Sequence, residues 1–276
     1  MIRSMVLWVG MLGFCTFARN IIGDTSVLIN LKSFSLVFFG ALVGGVLSIP
    51  VDTFAGFGHN MAASLKRQKR EPEALIQQIV AIARIHRLMD IRELTKRYRT
   101  LQNPFLRRGL LQLLDHNDRL RIEETMEKEI SLYLSRLQSQ LAAVQHFAKL
   151  APVFGFVGTI VGLINVLNHM GDATQIGQGM AISLLTTFYG LLVANFIFTP
   201  LAGRLAAYIQ RETLILNIVI EGVLAIFDKC TSVEISHLLL SYVETDGMIT
   251  HAVGSSKPFG IWQKWSSMMK TNGLVR

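Results

Sequence analysis

Four stretches of the chain are apolar over roughly the length of a membrane span. The first runs from Ser4 to Ala18, bounded by Arg3 and Arg19, and extends through Ile21 and Ile22. The second runs from Ser33 to Val51, between Lys32 and Asp52, and the third from Leu150 to Asn168, after Lys149. The fourth lies between Asp172 and Arg204, where no Asp, Glu, Lys or Arg occurs. A helix needs about 20 mostly apolar residues to cross about 30 Å of hydrocarbon. The first stretch also has the order of a signal peptide, a basic start and then an apolar core. No clean A-x-A site follows it, and a second apolar stretch comes soon after, which reads as a transmembrane hairpin.

Between and beyond these stretches the apolar residues recur at three- and four-residue steps, the mark of amphipathic helices. Leu75, Ile79, Ile82, Ile85 and Met89 form one stripe in a helix predicted over Glu73 to Thr100, with Pro72 suited to its first turn. Asn103 and Pro104 break it, a short helix follows over Phe105 to Leu114, and Asp115 to Asp118 read as a polar turn. A third helix starts near Asp118, carries Ile122, Met126, Ile130, Leu134, Leu137, Leu141 and Val144, and runs on toward the third span. Leu201 to Phe227 is helical again, with Leu205, Ile209, Leu216, Val219 and Val223 as its stripe. Ordinary helix packing accounts for most of these stripes. From Gly247 the character changes. Gly254 to Pro258 reads as a flexible break. Trp262, Trp265, Met268 and Met269, interleaved with Lys264 and Lys270, fit either a weak membrane-surface segment or a disordered tail.

Charge gives the stretches an orientation. Region 52–149 holds 17 of the 27 Lys and Arg residues and the part from 204 onward seven, whereas the connectors 19–32 and 169–178 hold only Arg19 and Lys32. Basic loops stay in the cytoplasm. The middle region and both termini are therefore expected inside, and both short connectors outside. The expected fold is an all-α integral membrane protein with four transmembrane helices and a helical cytoplasmic domain inserted between the second and third. Its expected parts are a hairpin (1–51), a cytoplasmic helical domain (52–149), a channel-lining pair (150–203), a cytoplasmic helix (204–246) and a tail (247–276). The net charge of +8 and pI of about 9.7 are what such loops produce, so no nucleic acid partner is inferred. A mean hydropathy of +0.41 with 17% charged residues agrees with a membrane chain, since soluble domains carry about 25%. Cys15 and Cys230 are too far apart in sequence and character to suggest a disulfide or metal framework.

The third and fourth spans hold more than anchoring requires. Gly155, Gly158 and Gly162 recur at helical spacing, and the Gly158–Gly162 pair permits close helix approach. Thr159, Asn165, Ser183, Thr186, Thr187, Tyr189 and Asn195 bring uncharged polar groups. A single hydroxyl often only bonds back to its own helix. Thr159 with Thr186 and Thr187 is more suggestive, because clustered hydroxyls can replace part of an ion's hydration shell. Pro152 and Pro200 stand near the cytoplasmic ends of the pair, as simple bends or as hinges that pass motion from channel to cytoplasmic domain. No span holds an acid, and ion relays use an intramembrane carboxylate. An ion-conducting role therefore demands a membrane partner that supplies one. No HExxH, P-loop, GxSxG or GxGxxG occurs, and His86, His116, His146 and His169 form no ligand pair, so neither an enzyme nor a bound cofactor or metal is expected.

The run Ala151-Pro152-Val153-Phe154-Gly155-Phe156-Val157-Gly158-Thr159-Ile160-Val161-Gly162-Leu163 resembles the third span of the MotA/TolQ/ExbB proton-channel superfamily. Gly179 to Gly190, then Ala194-Asn195 and Thr199-Pro200-Leu201-Ala202, resemble the fourth span of its MotA/PomA branch. Asn103 to Gly109 and Ser33 to Pro50 are similar to that branch as well. The resemblance covers about residues 28–245. It implies a flagellar stator subunit in the bacterial inner membrane, a pentamer around a dimer of B-type subunits. The B-type subunit carries the transmembrane Asp, and the cytoplasmic domain pushes on the rotor's FliG ring. The cargo is a proton or a sodium ion. By the resemblance, Pro152 and Pro200 match the two family prolines, and Thr159, Thr186 and Thr187 match threonines near the ion path. Arg84 falls at the rotor-contact Arg. The rotor-contact Glu position falls on Arg92, with Glu93 beside it. The alternatives are an ExbB/TolQ-like energiser, a MotA-like motor driving a non-flagellar process, and a non-conducting scaffold.

Overall fold

A computed structural model describes residues 30–48, 56–65, 72–88, 97, 101, 103–115 and 118–251. The first expected span, Glu93 and the tail beyond 251 lie outside the described residues. In chain order the helices are α1 (Leu31–Ser48), α2 (Phe57–Leu65), α3 (Pro72–Arg87), α4 (Pro104–Leu114), α5 (Arg119–Asn168) and α6 (Ala173–Leu192). A π-helical turn (Val193–Phe198) leads into α7 (Thr199–Phe227), and α8 is Ser232–His251. No strand occurs among the described residues.

The helix ends follow local chemistry. Asn103 caps α4, its side chain accepting the N–H groups of Phe105 and Leu106, with Pro104 in the first turn. Asp172 caps α6 through Thr174 and Gln175. These donors hold its carboxyl below the usual carboxylate range, the Thr174 N–H first. Thr231 and Glu234 form a reciprocal capping box at the start of α8, with the Thr231 N–H 2.8 Å from a Glu234 oxygen. At the end of α7, Lys229 adopts φ 55°, its N–H donates to Ile226 and that of Cys230 to Ala225. That is a Schellman closure with lysine where glycine is usual.

The described residues fall into two compact units. One lies within Met1–Arg67 and Ser135–Tyr208, the other within Gln68–Leu134 and Ile209–Arg276, so α5 and α7 contribute to both. The second unit has a conventional apolar core: Ile79, Ile82, Leu106, Leu110, Ile122 and Ile218 are each at most 2% exposed. Each such side chain contributes about 1.5–3 kcal/mol by leaving water. The stripes read from the sequence meet here. In α3 the buried face is Ile76, Ile79, Ile82 and Ala83; of the stripe read from the sequence, Ile79 and Ile82 lie on it, Leu75 and Ile85 are half-buried at its edges, and Met89 lies outside the described residues. Arg119 pairs with Asp228 and with Glu123, and both acids favour its charged form.

The first unit is packed differently. Two helical stretches, Arg119–Asn168 and Ala173–Phe227, are long and apolar enough to cross a membrane, and Ser33–Ser48 is a shorter apolar helix. Only 22% of the apolar window of α5 is buried, and Phe156 and Leu184 are 64% and 72% exposed. A core helix of a soluble protein hides this surface; a helix that faces lipid or neighbouring helices need not. Helix α1 packs on α6 through Val37, Leu185 and Tyr189, and its Gly40 and Gly44 make room for the Phe154 ring of α5.

Helix α2 and the π-turn have no counterpart in the sequence reading, and the single helix expected over 204–246 is broken after Phe227 into α7 and α8. Helix α2 follows Gly56, whose φ is +75°, and Asn60 donates from its side chain to the buried Gln140 of α5 at 2.9 Å. Of the helix expected over Glu73 to Thr100, the stretch to Arg87 is helical and so is Arg97, and α8 carries helix past Gly247 to His251.

Candidate functional site

The antiparallel pair α5 and α6 meet along a seam of small residues. A methyl built on Gly155 would lie 2.9 Å from the Thr186 carbonyl oxygen, and one on Gly190 would lie 2.8 Å from that of Ala151 and 3.2 Å from Cα of Pro152. One on Gly162 would lie 2.8 Å from the Gly179 carbonyl oxygen, and one on Gly179 would lie 3.0 Å from that of Gly162. These are backbone-to-backbone approaches that admit no side chain. Gly158 faces the side chain of Thr186 at 2.6 Å by the same construction. All three glycines singled out in the sequence therefore stand on this seam. Gly179, Ser183 and Gly190 complete it from α6. The signal for them was present: 179, 183, 186 and 190 run at steps of four, three and four, matching 155, 158 and 162 on the partner.

The close approach lets hydroxyls cross between helices. Ser183 Oγ donates to the Thr159 carbonyl (3.1 Å) and to Gly179 (2.9 Å). Thr159 Oγ1 reaches the carbonyls of Gly155 (3.2 Å) and Ser183 (3.3 Å) and stands 2.5 Å from Thr187 Oγ1. Thr187 Oγ1 also approaches the Ser183 carbonyl at 3.4 Å. Thr159 is half-buried and Thr187 exposed, so this hydroxyl pair opens outward. Thr186 differs from them. It is fully buried against Gly158, with its hydroxyl on the carbonyls of Ile182 and Ser183. The three threonines thus divide into an outward pair and one that fills the seam behind it.

Both prolines lie in this unit. Pro152 is inside α5, against Gly190. Pro200 follows the π-turn after one residue, Thr199. Proline lacks an N–H and its ring collides with the preceding turn in an α-helix, and the wider pitch of Val193–Phe198 accommodates it. Here Thr199 sends both its N–H and its hydroxyl (2.9 Å) to the Ala194 carbonyl. In the last turn of α6, the Tyr189 hydroxyl accepts from the Asn30 N–H at 2.8 Å, tying α1 to the seam helix. Arg84 is exposed on α3 in the other unit, opposite the buried face. Among the described residues no group of His, Cys, Asp or Glu is arranged to hold a metal.

The model of the MotA/TolQ/ExbB proton channel family matches residues 97–217. Motility protein A of Treponema phagedenis is 30% identical over 204 residues, 74% of this chain and 79% of that protein. The chain belongs to the MotA/TolQ/ExbB proton channel family. Chemotaxis protein PomA of Vibrio alginolyticus is 29% identical over 235 residues, 85% of this chain and 92% of its own length. A chain of the C. jejuni MotAB structure shares the fold with a TM-score of 0.78 at 21% identity, covering 87% of this chain and 94% of that one. The family members of this branch are ion-channel motor components and not enzymes, and this chain is a membrane stator protein of their kind. The family match covers the whole glycine seam, both prolines and the hydroxyl pair.

Proposed function

We propose that this chain is the A-type subunit of a flagellar stator, in which ion flow past the α5–α6 pair is turned into torque on a rotor. The observation that carries the reading is the Thr159–Thr187 hydroxyl pair, 2.5 Å apart and open on one side of a seam too tight to admit anything between the helices. An ion passing there would exchange hydration waters for hydroxyl oxygens. Thr186, behind the pair, keeps the two helices at the distance the pair requires.

Neither 150–171 nor 173–203 contains Asp, Glu, Lys or Arg. The titrating carboxylate must then come from a second chain, and the C. jejuni and Bacillus subtilis relatives of this fold were solved as MotAB complexes. We assign that role to a B-type subunit with one span and an Asp near its start. The A-type chains form a homo-pentamer around a B-type dimer, in the inner membrane, with four spans and both termini cytoplasmic. Regions 52–149 and 204–246 form the cytoplasmic domain that meets the rotor's FliG ring, with Arg84 and Glu93 as contact residues. Pro152 and Pro200 flex as the ion passes. The cargo is a proton or a sodium ion, and no resident cofactor is needed.

The test is to co-express the chain with its single-span neighbour, purify the complex and measure ion flux in proteoliposomes. Wild type should conduct. Thr187→Val should lower flux by roughly tenfold, the loss of one hydrogen bond to a charged group, with partner recovery unchanged. A stable assembly without any partner carboxylate in the membrane would reduce the chain to a scaffold.

A further inference from the structure

We infer that Asn195, in the π-turn that ends α6, is a second station for the moving cation, on the cytoplasmic side of the Thr159–Thr187 pair. This inference rests on the ion path proposed above.

The side chain's face comes first. Along α6 the exposed positions Met180, Leu184, Thr187, Leu191 and Asn195 follow at steps of four, three, four and four, which puts them on one side of the helix. The positions about 100° around the helix, Gly179, Ser183, Thr186 and Gly190, are buried in the seam. Asn195 thus continues the line of the exposed hydroxyl, eight residues on, or about 12 Å along the axis. It stands among apolar neighbours, with Leu191, Phe196 and Ile197 50%, 47% and 41% exposed. An amide presented to lipid there would be expensive, so intramembrane polar groups face protein or a wet pathway.

The turn then leaves this residue rich in acceptors. Its side-chain N–H donates to the Leu191 carbonyl at 2.9 Å, which fixes the amide and turns Oδ1 away from the helix. Its backbone carbonyl also loses both helical donors. The α-helical donor is the Thr199 N–H, which goes to Ala194 instead. The π-helical donor is residue 200, a proline without an N–H. Thr199's hydroxyl also goes to Ala194. Asn195 therefore offers two oxygens, one amide and one main-chain, on an exposed face and with no acid beside them. Oxygen acceptors of this kind suit a partly dehydrated monovalent cation, sodium or hydronium, and suit weak binding, which a site on a conduction path requires. The π-turn gains a purpose beyond fitting Pro200: it turns the main-chain oxygen of Asn195 from a structural acceptor into a free one.

The experiment uses the full chain with its single-span partner in proteoliposomes, with flux driven by a sodium gradient in one arm and by a pH gradient in the other. Asn195→Leu keeps the size and removes Oδ1; Asn195→Asp keeps an oxygen there. Thr187→Val reports on the upstream pair, and partner recovery on assembly. The expected result is a roughly tenfold or greater loss of flux for Asn195→Leu, in whichever arm drives the wild type. Asn195→Asp should conduct better than Asn195→Leu, and both should recover the partner fully. If Asn195→Leu conducts like wild type while Thr187→Val does not, the second station is wrong and the hydroxyl pair stands. If neither variant lowers flux, the path itself is wrong. If Asn195→Leu loses the partner, the residue is a helix-packing contact, and the inference is overturned.

Discussion

Replacing Gly155 with alanine tests the seam directly. The added methyl would lie 2.9 Å from the Thr186 carbonyl oxygen and 3.3 Å from Cα of Thr187 and of Gly190. All three atoms are main chain and have no rotamer to yield. Ordinary contact begins at 3.4 Å, so α6 must retreat by about 0.5 Å, the difference between 3.4 and 2.9 Å. The same retreat stretches the two cross-helix bonds of 3.1 and 3.3 Å between Ser183 and Thr159 beyond useful length. Overpacking of this kind costs about 1–3 kcal/mol, and each interhelical bond lost in a membrane costs about 0.6 kcal/mol. Alanine returns up to about 1 kcal/mol of helix propensity. The net loss is about 1–3 kcal/mol. Gly203→Ala is the control, because a methyl there meets nothing within 4 Å, and it should be neutral or slightly stabilising. Thermal unfolding in detergent, followed by circular dichroism, compares the two. If Gly155→Ala melts with or above wild type, or if Gly203→Ala loses as much, the backbone seam is not what holds α5 to α6.

Three further outcomes follow from individual residues. Asn103→Ala removes the cap of α4 and should cost about 1 kcal/mol by denaturant titration. Tyr189→Phe leaves the Asn30 N–H without the hydroxyl it meets at 2.8 Å and should cost about 1–3 kcal/mol, read as a lower midpoint in the same detergent melt. His86 is held below its ordinary value of 6.5, first by burial and then by the nearby Lys229. The folded state thus binds the proton less well than the unfolded one. Stability contributed by the neutral ring is complete above about pH 6.5 and declines as pH falls below it. Melting temperatures between pH 7.5 and 5 should drop in wild type and drop less in His86→Gln; equal slopes would remove His86 as the cause.

Much of this protein was legible in one dimension. Helices with a single apolar stripe announce themselves by three- and four-residue steps, so α3, α4, α5 and α7 and most of their buried residues could be read directly. A helix in a low-dielectric environment satisfies its own backbone, so composition and length alone pointed to the membrane-type segments. The glycines 155, 158 and 162 and the prolines 152 and 200 were visible because these residues act through what they lack, a side chain or an N–H. Tertiary structure decided the rest, because it depends on which faces oppose. Thr186 and Thr187 are neighbours in sequence, yet one fills the seam against Gly158 and the other opens outward beside Thr159; a turn of 100° per residue separates them, and only the partner helix gives that turn a meaning. The π-turn at Val193–Phe198 could not be read from residue types either. Its existence depends on how α6 resolves Pro200 while staying packed on α5, a compromise between one missing donor and a seam with no slack.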